Sequence, residues 1–372
     1  MIETKMLYDA FYNLGLDFYI GTSDASLKGF ENCVLSGHSL CGQLNNKNEP
    51  RKQNRNIRNI TAPNAESAIS IAVGYNIATN KCPVVYVSST CAGSIVDLLN
   101  STINENVLSF PMLILISVND SSTRKMFEAL NKKYFYIENV TNIAFVEEAY
   151  QYSIKENKPV TLLVNANILS CVNDGERKKT ASLNKYDALK YILSLLDEKD
   201  FLLASHGDIA KEIYNIRKKN GQTHNNDLLL SNSHEQITSI AYGLALNSTK
   251  NIWCIDSDST LLYNLGGTAN VLLNTQRNMK YILIDDESQF SSDGQNAHLH
   301  LMDIKKMLKS MGVKNTMEAY TYEDIKIGML RLAREKSALI IKVSRDKPLK
   351  IVQNDYDAKK NFEEFKGKFQ KT

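Results

Sequence analysis

Short apolar runs alternate with segments of helical periodicity along the chain, and this alternation restricts its fold more than any other feature. In the first half the strand-like runs are FYI at 18–20, PVVYVS at 83–88, PMLILIS at 111–117 and PVTLLV at 159–164. Segments with helical periodicity lie between them at 64–79, 91–104 and 141–156. Strands joined through helices run parallel, and nearly continuous apolar runs indicate strands covered on both faces. The pattern predicts an α/β domain built on a parallel sheet.

The alternation stops once and then restarts. From 171 to 184 the chain reads CVNDGERKKTASLN, which is polar, charged and without periodicity, as linkers are. Strand-like runs return at 201–205, 227–231, 251–256, 280–286 and 338–343. A length of 372 residues suits two domains of ordinary size. We therefore expect two similar α/β domains, 1–170 and 185–372, joined by a linker over 171–184.

Composition narrows the class of partner. The chain has 44 basic and 41 acidic residues, a balance that does not indicate a nucleic-acid-binding surface. No stretch approaches the length of a membrane span, and the N-terminal MIETKMLYDAFYNLG reads as an amphipathic helix rather than a leader. The six cysteines are scattered without a CxxC pair, which is typical of a reducing compartment. We expect a cytoplasmic protein that binds neither nucleic acid nor membrane.

Two predicted strands of the second half end in acidic residues. One ends at Asp256-Ser257-Asp258-Ser259, and the next ends at Asp285-Asp286. Because ligands of parallel sheets bind at the carboxyl ends of the strands, Asp258 and Asp286 are expected at the same edge. Carboxylate oxygens bind Mg²⁺, and a following helix N-terminus favours an anion such as a diphosphate. The alternative is that Asp256 and Asp258 only cap the helix.

This stretch resembles the signature of thiamine-diphosphate-dependent enzymes, Gly-Asp-Gly followed some 25 to 30 residues later by Asn-Asn. The likeness continues through most of the chain, which resembles a divergent member of the phosphonopyruvate decarboxylase family. GTSDASLKGF at 21–30 resembles that family's GVPDSLLKPF, and the segments 61–79 and 205–246 resemble family segments in the same order. The resemblance implies the thiamine-diphosphate-binding fold, with a pyrimidine-binding domain followed by a diphosphate-binding domain.

The resemblance also implies a set of site residues. Mg²⁺ would be bound by the side chains of Asp258 and Asp286 and by the carbonyl of Ser288. The residues implied in binding thiamine diphosphate are Ser233, His234, Ser257, Asp258, Ser259 and Asp286. Several letters depart from the family. Ser257 and Ser259 replace glycines, His234 replaces a methionine, and Asp286 replaces an asparagine, which adds a negative charge beside an anionic group.

In the family a glutamate at the start of a helix activates the cofactor through pyrimidine N1′. Counting back from Gly74 places that position at Ala65, so the nearby acid Glu66 is either a displaced catalytic acid or a first-turn acid behind the Asn64 cap. Asp24 is expected near the substrate, as a second catalytic candidate or as an N-cap. Lys28 is expected to meet an anionic substrate group or to lie on an exposed helix face.

The function implied is Mg²⁺- and thiamine-diphosphate-dependent decarboxylation of a small anionic 2-oxo acid, with phosphonopyruvate giving phosphonoacetaldehyde and CO₂. Sulfopyruvate is the competing substrate. A non-catalytic binding or regulatory subunit is the alternative from another class, because the changes at Ala65, His234, Ser257 and Ser259 occur together; an enzyme with a different proton relay lies between. The resemblance further implies a homo-oligomer with active sites at subunit interfaces.

Overall fold

The computed structural model describes most of the chain. The described residues are 2–22, 24, 26–36, 57–104, 106–169, 183–205, 208–230, 236–274, 276–286, 302–313, 315–335, 337–344 and 356–371. Within the chain there are two compact units, Met1–Asp174 and Gly175–Thr372. Of the segment 171–184, which the sequence suggests as a linker, only the last two positions are described.

Unit 1 contains a sheet of six parallel strands flanked by helices. Its strands are β1 (Phe18–Gly21), β2 (Arg58–Thr61), β3 (Val84–Ser88), β4 (Met112–Val118), β5 (Tyr134–Ile137) and β6 (Pro159–Asn165). Its helices are α1 (Ile2–Asn13), α2 (Lys28–Ser36), α3 (Ala65–Thr79), α4 (Ala92–Asn100), α5 (Ser122–Ala129), α6 (Phe145–Glu156) and α7 (Ala166–Leu169).

Unit 2 repeats this architecture with its own six parallel strands. They are β7 (Phe201–Ala204), β8 (Asp227–Leu229), β9 (Ile252–Ser257), β10 (Met279–Asp285), β11 (Asn315–Ala319) and β12 (Ser337–Lys342). The helices are α8 (Lys185–Leu195), α9 (Asp208–Lys219), α10 (Ile237–Leu246), α11 (Asp258–Tyr263), α12 (Leu265–Asn274), α13 (Ile304–Ser310), α14 (Tyr322–Arg334) and α15 (Ala358–Phe369).

The two sheets have the same topology. The order in unit 1 is β2-β1-β3-β4-β6-β5, and the order in unit 2, written from its other edge, is β8-β7-β9-β10-β12-β11. In both units the second strand lies on one side of the first and the third strand on the other. The order in which strands are added therefore reverses at β1 and again at β7, and such a reversal of strand order opens a crevice at the carboxyl ends of the strands, between β1 and β3 and between β7 and β9. The expected fold class, two similar parallel-sheet α/β domains, is confirmed.

Each sheet separates two hydrophobic cores because side chains alternate between the faces of a strand. In β3, Val84 and Tyr86 belong to the core beneath α1 and α2, whereas Val85 and Val87 belong to the core beneath α3 and α4. Unit 2 likewise has one core on each face of its sheet. The central strand β4 is buried along its whole length. This double coverage explains the continuous apolar runs in the sequence.

Gly21 ends β1 at a point where no side chain fits. An added Cβ would lie 2.3 Å from both the ring and the carbonyl oxygen of Tyr86. The Tyr86 ring passes over this position, and its hydroxyl donates to Asn59 Oδ1 at 2.9 Å. A glycine at the end of β1 therefore keeps the carboxyl edge of this sheet closely packed.

In the described part of the chain, the helices are all too short or too polar to cross a membrane.

Candidate active site

Asp258 and Asp286 follow neighbouring strands at the carboxyl edge of the unit 2 sheet. Asp258 is the first residue of α11, directly after β9, and Asp286 directly follows β10. The strands pair in parallel with Ile284 opposite Ser257, so both acids emerge at the same edge. Their charges act on one another, since Asp286 raises the pKa of Asp258. The structure brings together the two acids that the sequence placed there, beside the reversal between β7 and β9.

The Asp258 carboxyl group is buried and only half satisfied. Asp258 is 3% exposed. Oδ1 accepts a hydrogen bond from the Ser259 amide at 2.7 Å, whereas Oδ2 has no hydrogen-bond partner among the described residues. Burial raises the pKa of Asp258 well above its usual value, and the charges of Asp286 and Asp285 raise it further. A divalent cation would supply the partner that Oδ2 needs.

The serines around Asp258 bond to each other and to the helix. Ser257 caps α11, because its Oγ accepts from the Thr260 amide at 3.2 Å. The Ser257 hydroxyl also lies 2.9 Å from the hydroxyls of both Ser259 and Thr260. The N-cap of α11 is therefore Ser257 and neither Asp256 nor Asp258. Asp258 makes a single hydrogen bond to the helix, through its Oδ1.

A further acid, Asp256, lies within β9 and is fully buried. Its Oδ1 accepts from the Ser257 amide at 2.8 Å, and its Oδ2 accepts from the Tyr281 hydroxyl at 3.1 Å. Burial raises the pKa of Asp256 to about 7. The sequence suggested only a possible cap at this position.

Two lysines bring positive charge to the acidic edge. Lys342, the last residue of β12, pairs with Asp285 at 2.6 Å. Lys185, the first residue of α8, lies 3.8 Å from Asp286 Oδ2 and 3.9 Å from Oε1 of the buried Glu212. The sequence analysis did not single out Lys185, Lys342 or Glu212, although Lys342 ends a strand and Lys185 begins a helix.

The charges of this cluster suit a divalent cation. The cluster has four carboxyl groups and two ammonium groups. Lys185 lies near the carboxyl groups of Glu212 and Asp286 and acts on Asp258, and Lys342 pairs with Asp285. Fully ionised, the cluster carries two negative charges in excess. The described residues contain no group of three or more His, Cys, Asp and Glu side chains arranged to hold a metal ion. Two aspartate side chains with a backbone carbonyl is the arrangement expected from the sequence, and the carbonyl residue, Ser288, lies outside the described residues.

A hydroxyl at the same edge of the sheet also has no hydrogen-bond partner among the described residues. Ser205 directly follows β7, and its amide donates to the Ile255 carbonyl of β9 at 3.0 Å. Its Oγ is buried and makes no hydrogen bond to any described residue. The predicted cofactor residues Ser233 and His234 lie outside the described residues.

In unit 1, Asp24 and Glu66 lie near the corresponding reversal between β1 and β3. Asp24 follows β1, and its Oδ1 accepts from the amide and hydroxyl of Ser26 at 2.8 and 2.7 Å. Glu66 is exposed in the first turn of α3 behind the Asn64 cap, whereas Ala65 is buried. Both acids act on the Cys91 thiol: burial raises the pKa of Cys91, and Asp24 and Glu66 raise it further. Sequence reasoning did not place Cys91 in this group.

Two buried charged residues lie in α2. Lys28, its first residue, is buried rather than on an exposed helix face. Glu31, one turn further on, is 4% exposed, and its Oε1 has no hydrogen-bond partner among the described residues. Burial raises the pKa of Glu31 to about 7. Glu31 is a buried acid that the sequence analysis missed.

No protein-family model matches the chain. By sequence, parts of it are similar to subunits of a decarboxylase. These relatives are sulfopyruvate decarboxylase subunit beta from Methanococcus maripaludis, 23% identical over 168 residues (45% of this chain, 85% of the relative), and from Methanothermobacter thermautotrophicus, 24% identical over 130 residues (35% and 67%). The subunit from Methanocaldococcus jannaschii is 26% identical over 114 residues (31% and 58%). These similarities support a decarboxylase at the level of reaction class.

Among solved structures, the chain is similar to benzoylformate decarboxylase from Polynucleobacter necessarius. The match has a TM-score of 0.35 and 10% identity and covers 93% of this chain and 99% of the other. The description of the fold rests on the two six-stranded parallel sheets themselves.

Proposed function

We propose that the chain is a Mg²⁺- and thiamine-diphosphate-dependent decarboxylase of a small anionic 2-oxo acid. The observation that carries this proposal is the pair Asp258 and Asp286 at one sheet edge, with Asp258 Oδ2 buried and without a partner among the described residues. The Ser205 hydroxyl, which makes no hydrogen bond to any described residue, and the acidic cluster fit a cation with a phosphate group attached. The decarboxylases related by sequence support the reaction class.

Asp258 and Asp286 would hold Mg²⁺ through their carboxylates, and Ser257 and Ser259 would lie beside the diphosphate. Bound thiamine diphosphate would supply the electron-accepting thiazolium that decarboxylation of a 2-oxo acid needs. In unit 1, Glu66 is exposed at the start of α3 and would hold a proton at pyrimidine N1′, as a displaced counterpart of the family's glutamate. Asp24 would orient the substrate, and a homo-oligomer belongs to the same proposal.

Phosphonopyruvate is the proposed substrate because GTSDASLKGF, with Asp24 and Lys28, resembles the phosphonopyruvate decarboxylase family. Sulfopyruvate is the second candidate, because the relatives found by sequence carry that substrate in their names. Both compounds are small 2-oxo acids with a second anionic group. Release of CO₂ from each, measured as kcat/KM with Mg²⁺ and thiamine diphosphate present, separates them, and a preference of about tenfold, about 1.4 kcal/mol of barrier, decides the substrate.

Calorimetric titration with thiamine diphosphate, with and without Mg²⁺, tests the proposal. We expect binding that requires Mg²⁺ in the wild type and is lost in Asp258→Ala, because that change removes a direct ligand. Glu198→Ala, which removes an exposed carboxylate from the same unit, should bind as the wild type does. Absence of wild-type binding would refute the proposal and favour the non-catalytic subunit. Unchanged affinity in Asp258→Ala would refute the site.

A further inference from the structure

Lys185 occupies an unfavourable position for a lysine. As the first residue of α8 it lies at the end of the helix where the dipole opposes a positive charge. Its side chain is nevertheless withdrawn from solvent, with the residue 8% exposed. An ammonium group in such a place needs carboxylates close by to offset its burial.

The start of α8 is fixed at the carboxyl edge of the sheet by two contacts. Asn184 caps the helix by accepting from the Asp187 amide at 3.1 Å, and it forms a parallel bridge with Ser344. The Ser344 amide donates to the Leu183 carbonyl at 2.7 Å. Because Ser344 lies two residues beyond the end of β12, these contacts hold Lys185 against the acidic edge.

The Lys185 ammonium lies between a carboxylate of α9 and one that follows β10. It is 3.9 Å from Glu212 Oε1 and 3.8 Å from Asp286 Oδ2. Both distances exceed a hydrogen bond, so both pairs act through charge. The Lys185 charge also lowers the pKa of Asp258, and so opposes the acids Asp286 and Asp285, which raise it.

We infer that Lys185 is the counter-charge that allows an aspartate to stand at position 286, where the decarboxylase family that the chain resembles has a neutral asparagine. An aspartate there adds a negative charge beside a group that is itself anionic, and an ammonium about 4 Å away offsets it. Lys185 is thus a positioning residue that sets the charge of the cation site. The inference rests on the proposed function for what the site binds, but not for the pairing of Lys185 with Asp286.

The pairing is tested on the whole protein without added metal. Lys185→Gln removes the charge and keeps a polar side chain, and we expect its melting temperature to fall by several degrees, because the acids then repel one another. Lys185→Arg keeps the charge and should recover most of the loss. Lys190→Gln, on the exposed face of the same helix, should melt as the wild type does. Lys185→Gln combined with Asp286→Asn should lose less than the two single changes summed. Additive losses would overturn the inference.

The effect on the site is tested with Mn²⁺ alone, by calorimetry or by electron paramagnetic resonance of the bound ion. Lys185→Gln should bind Mn²⁺ at least about threefold more tightly, since it removes a nearby positive charge, and Asp286→Asn at least about threefold more weakly. The double variant should lie within about twofold of wild type, because both charges are gone. Equal Mn²⁺ affinity in wild type and Lys185→Gln would overturn the inference. If wild type binds no Mn²⁺, the proposed function fails, whereas non-additive melting would still support the pairing.

Discussion

Glu31 in α2 and Asp256 in β9 are buried acids whose pKa burial raises to about 7. Asp256 accepts two hydrogen bonds, which lower its pKa in part, whereas Glu31 Oε1 has no partner among the described residues. The charge of Glu31 raises the pKa of Tyr86. Each acid therefore titrates near neutral pH, where an ordinary carboxylate is fully ionised.

Glu31→Gln should change the pH dependence of stability. The folded protein holds a proton on Glu31 up to about pH 7, whereas the unfolded chain releases it near the usual value of 4.5. Stability contributed by this group is therefore lost as the pH rises from about 5 toward 7. The variant has no such proton to lose. Between pH 5 and pH 8 the free energy of unfolding of the variant should therefore rise by about 2–3 kcal/mol relative to that of the wild type, as measured by urea unfolding.

Glu138→Gln, which alters an exposed acid of the same unit, should give a difference from wild type that is constant with pH. Parallel curves for wild type and Glu31→Gln would show that Glu31 ionises normally in the folded protein.

Glu66→Gln tests the proposed proton relay. If Glu66 holds the proton at pyrimidine N1′, the variant should bind thiamine diphosphate as the wild type does but exchange the thiazolium C2 proton at least about tenfold more slowly, as measured by NMR. Rapid wild-type exchange that Glu66→Gln leaves unchanged would exclude this role. The pair Ala65→Glu with Glu66→Gly restores the family's order, and faster exchange in that variant would show that position 65 is the productive one.

The sequence places Asp258 and Asp286 in the candidate site because each directly follows a strand, and the position of a strand end in a parallel sheet follows from local pattern alone. Lys185, Glu212 and Lys342 were missed because their contacts join segments far apart in the chain, and one sequence carries no record of such contacts. Glu31 was missed because a single acid on a helix gives no sign of its burial. Burial on that face depends on which strands α2 covers.

At the scale of elements, the strands that the apolar pattern missed are β2, β5 and β11, and all three lie at sheet edges. Central strands are covered on both faces, so they read as continuous apolar runs. An edge strand has one neighbour, and here β2 reads RNIT and β11 reads NTMEA, with polar and part-exposed positions. Of the edge strands only β8 was predicted, since its Asp227-Leu228-Leu229 is buried throughout.

Two glycines of unit 1 should respond to alanine in opposite directions. Gly21→Ala places a Cβ 2.3 Å from the Tyr86 ring and carbonyl, and because the carbonyl is backbone it cannot be relieved by a rotamer change. We expect a loss of at least about 1–3 kcal/mol. Gly74 lies within α3, and an added Cβ there would meet nothing within 4 Å beyond its chain neighbours and the backbone of its own helix, so Gly74→Ala should gain about 0.5–1 kcal/mol from helix propensity. Urea unfolding of both variants measures the difference. An equal effect in the two would mean that the end of β1 is not closely packed.

At the scale of the whole molecule, the two units share one strand order but carry separate cores and separate groups of acids. In unit 1, Asp24 and Glu66 act on Cys91 near β1 and β3. In unit 2, Asp258 and Asp286 follow β9 and β10, the strands that correspond to β3 and β4. The proposed cation ligands all belong to unit 2. A ligand that binds only folded unit 2 stabilises that unit first.

The chain contains a single tryptophan, Trp253 in β9, which makes unit 2 observable by itself. Trp253 is buried, and its Nε1 donates to Asp200 Oδ2 at 2.7 Å, so its fluorescence changes when the unit 2 sheet opens. At a Mg²⁺ and thiamine diphosphate concentration of about 100 times Kd, the transition followed by tryptophan fluorescence should rise by roughly 5–10 °C in the wild type and not in Asp258→Ala. The transition followed by circular dichroism reports both units, and it should broaden or split if unit 1 is not stabilised to the same extent. Calorimetric binding without any rise in the tryptophan transition would place the ligand outside unit 2, because a ligand held by Asp258 must stabilise the sheet that contains Trp253.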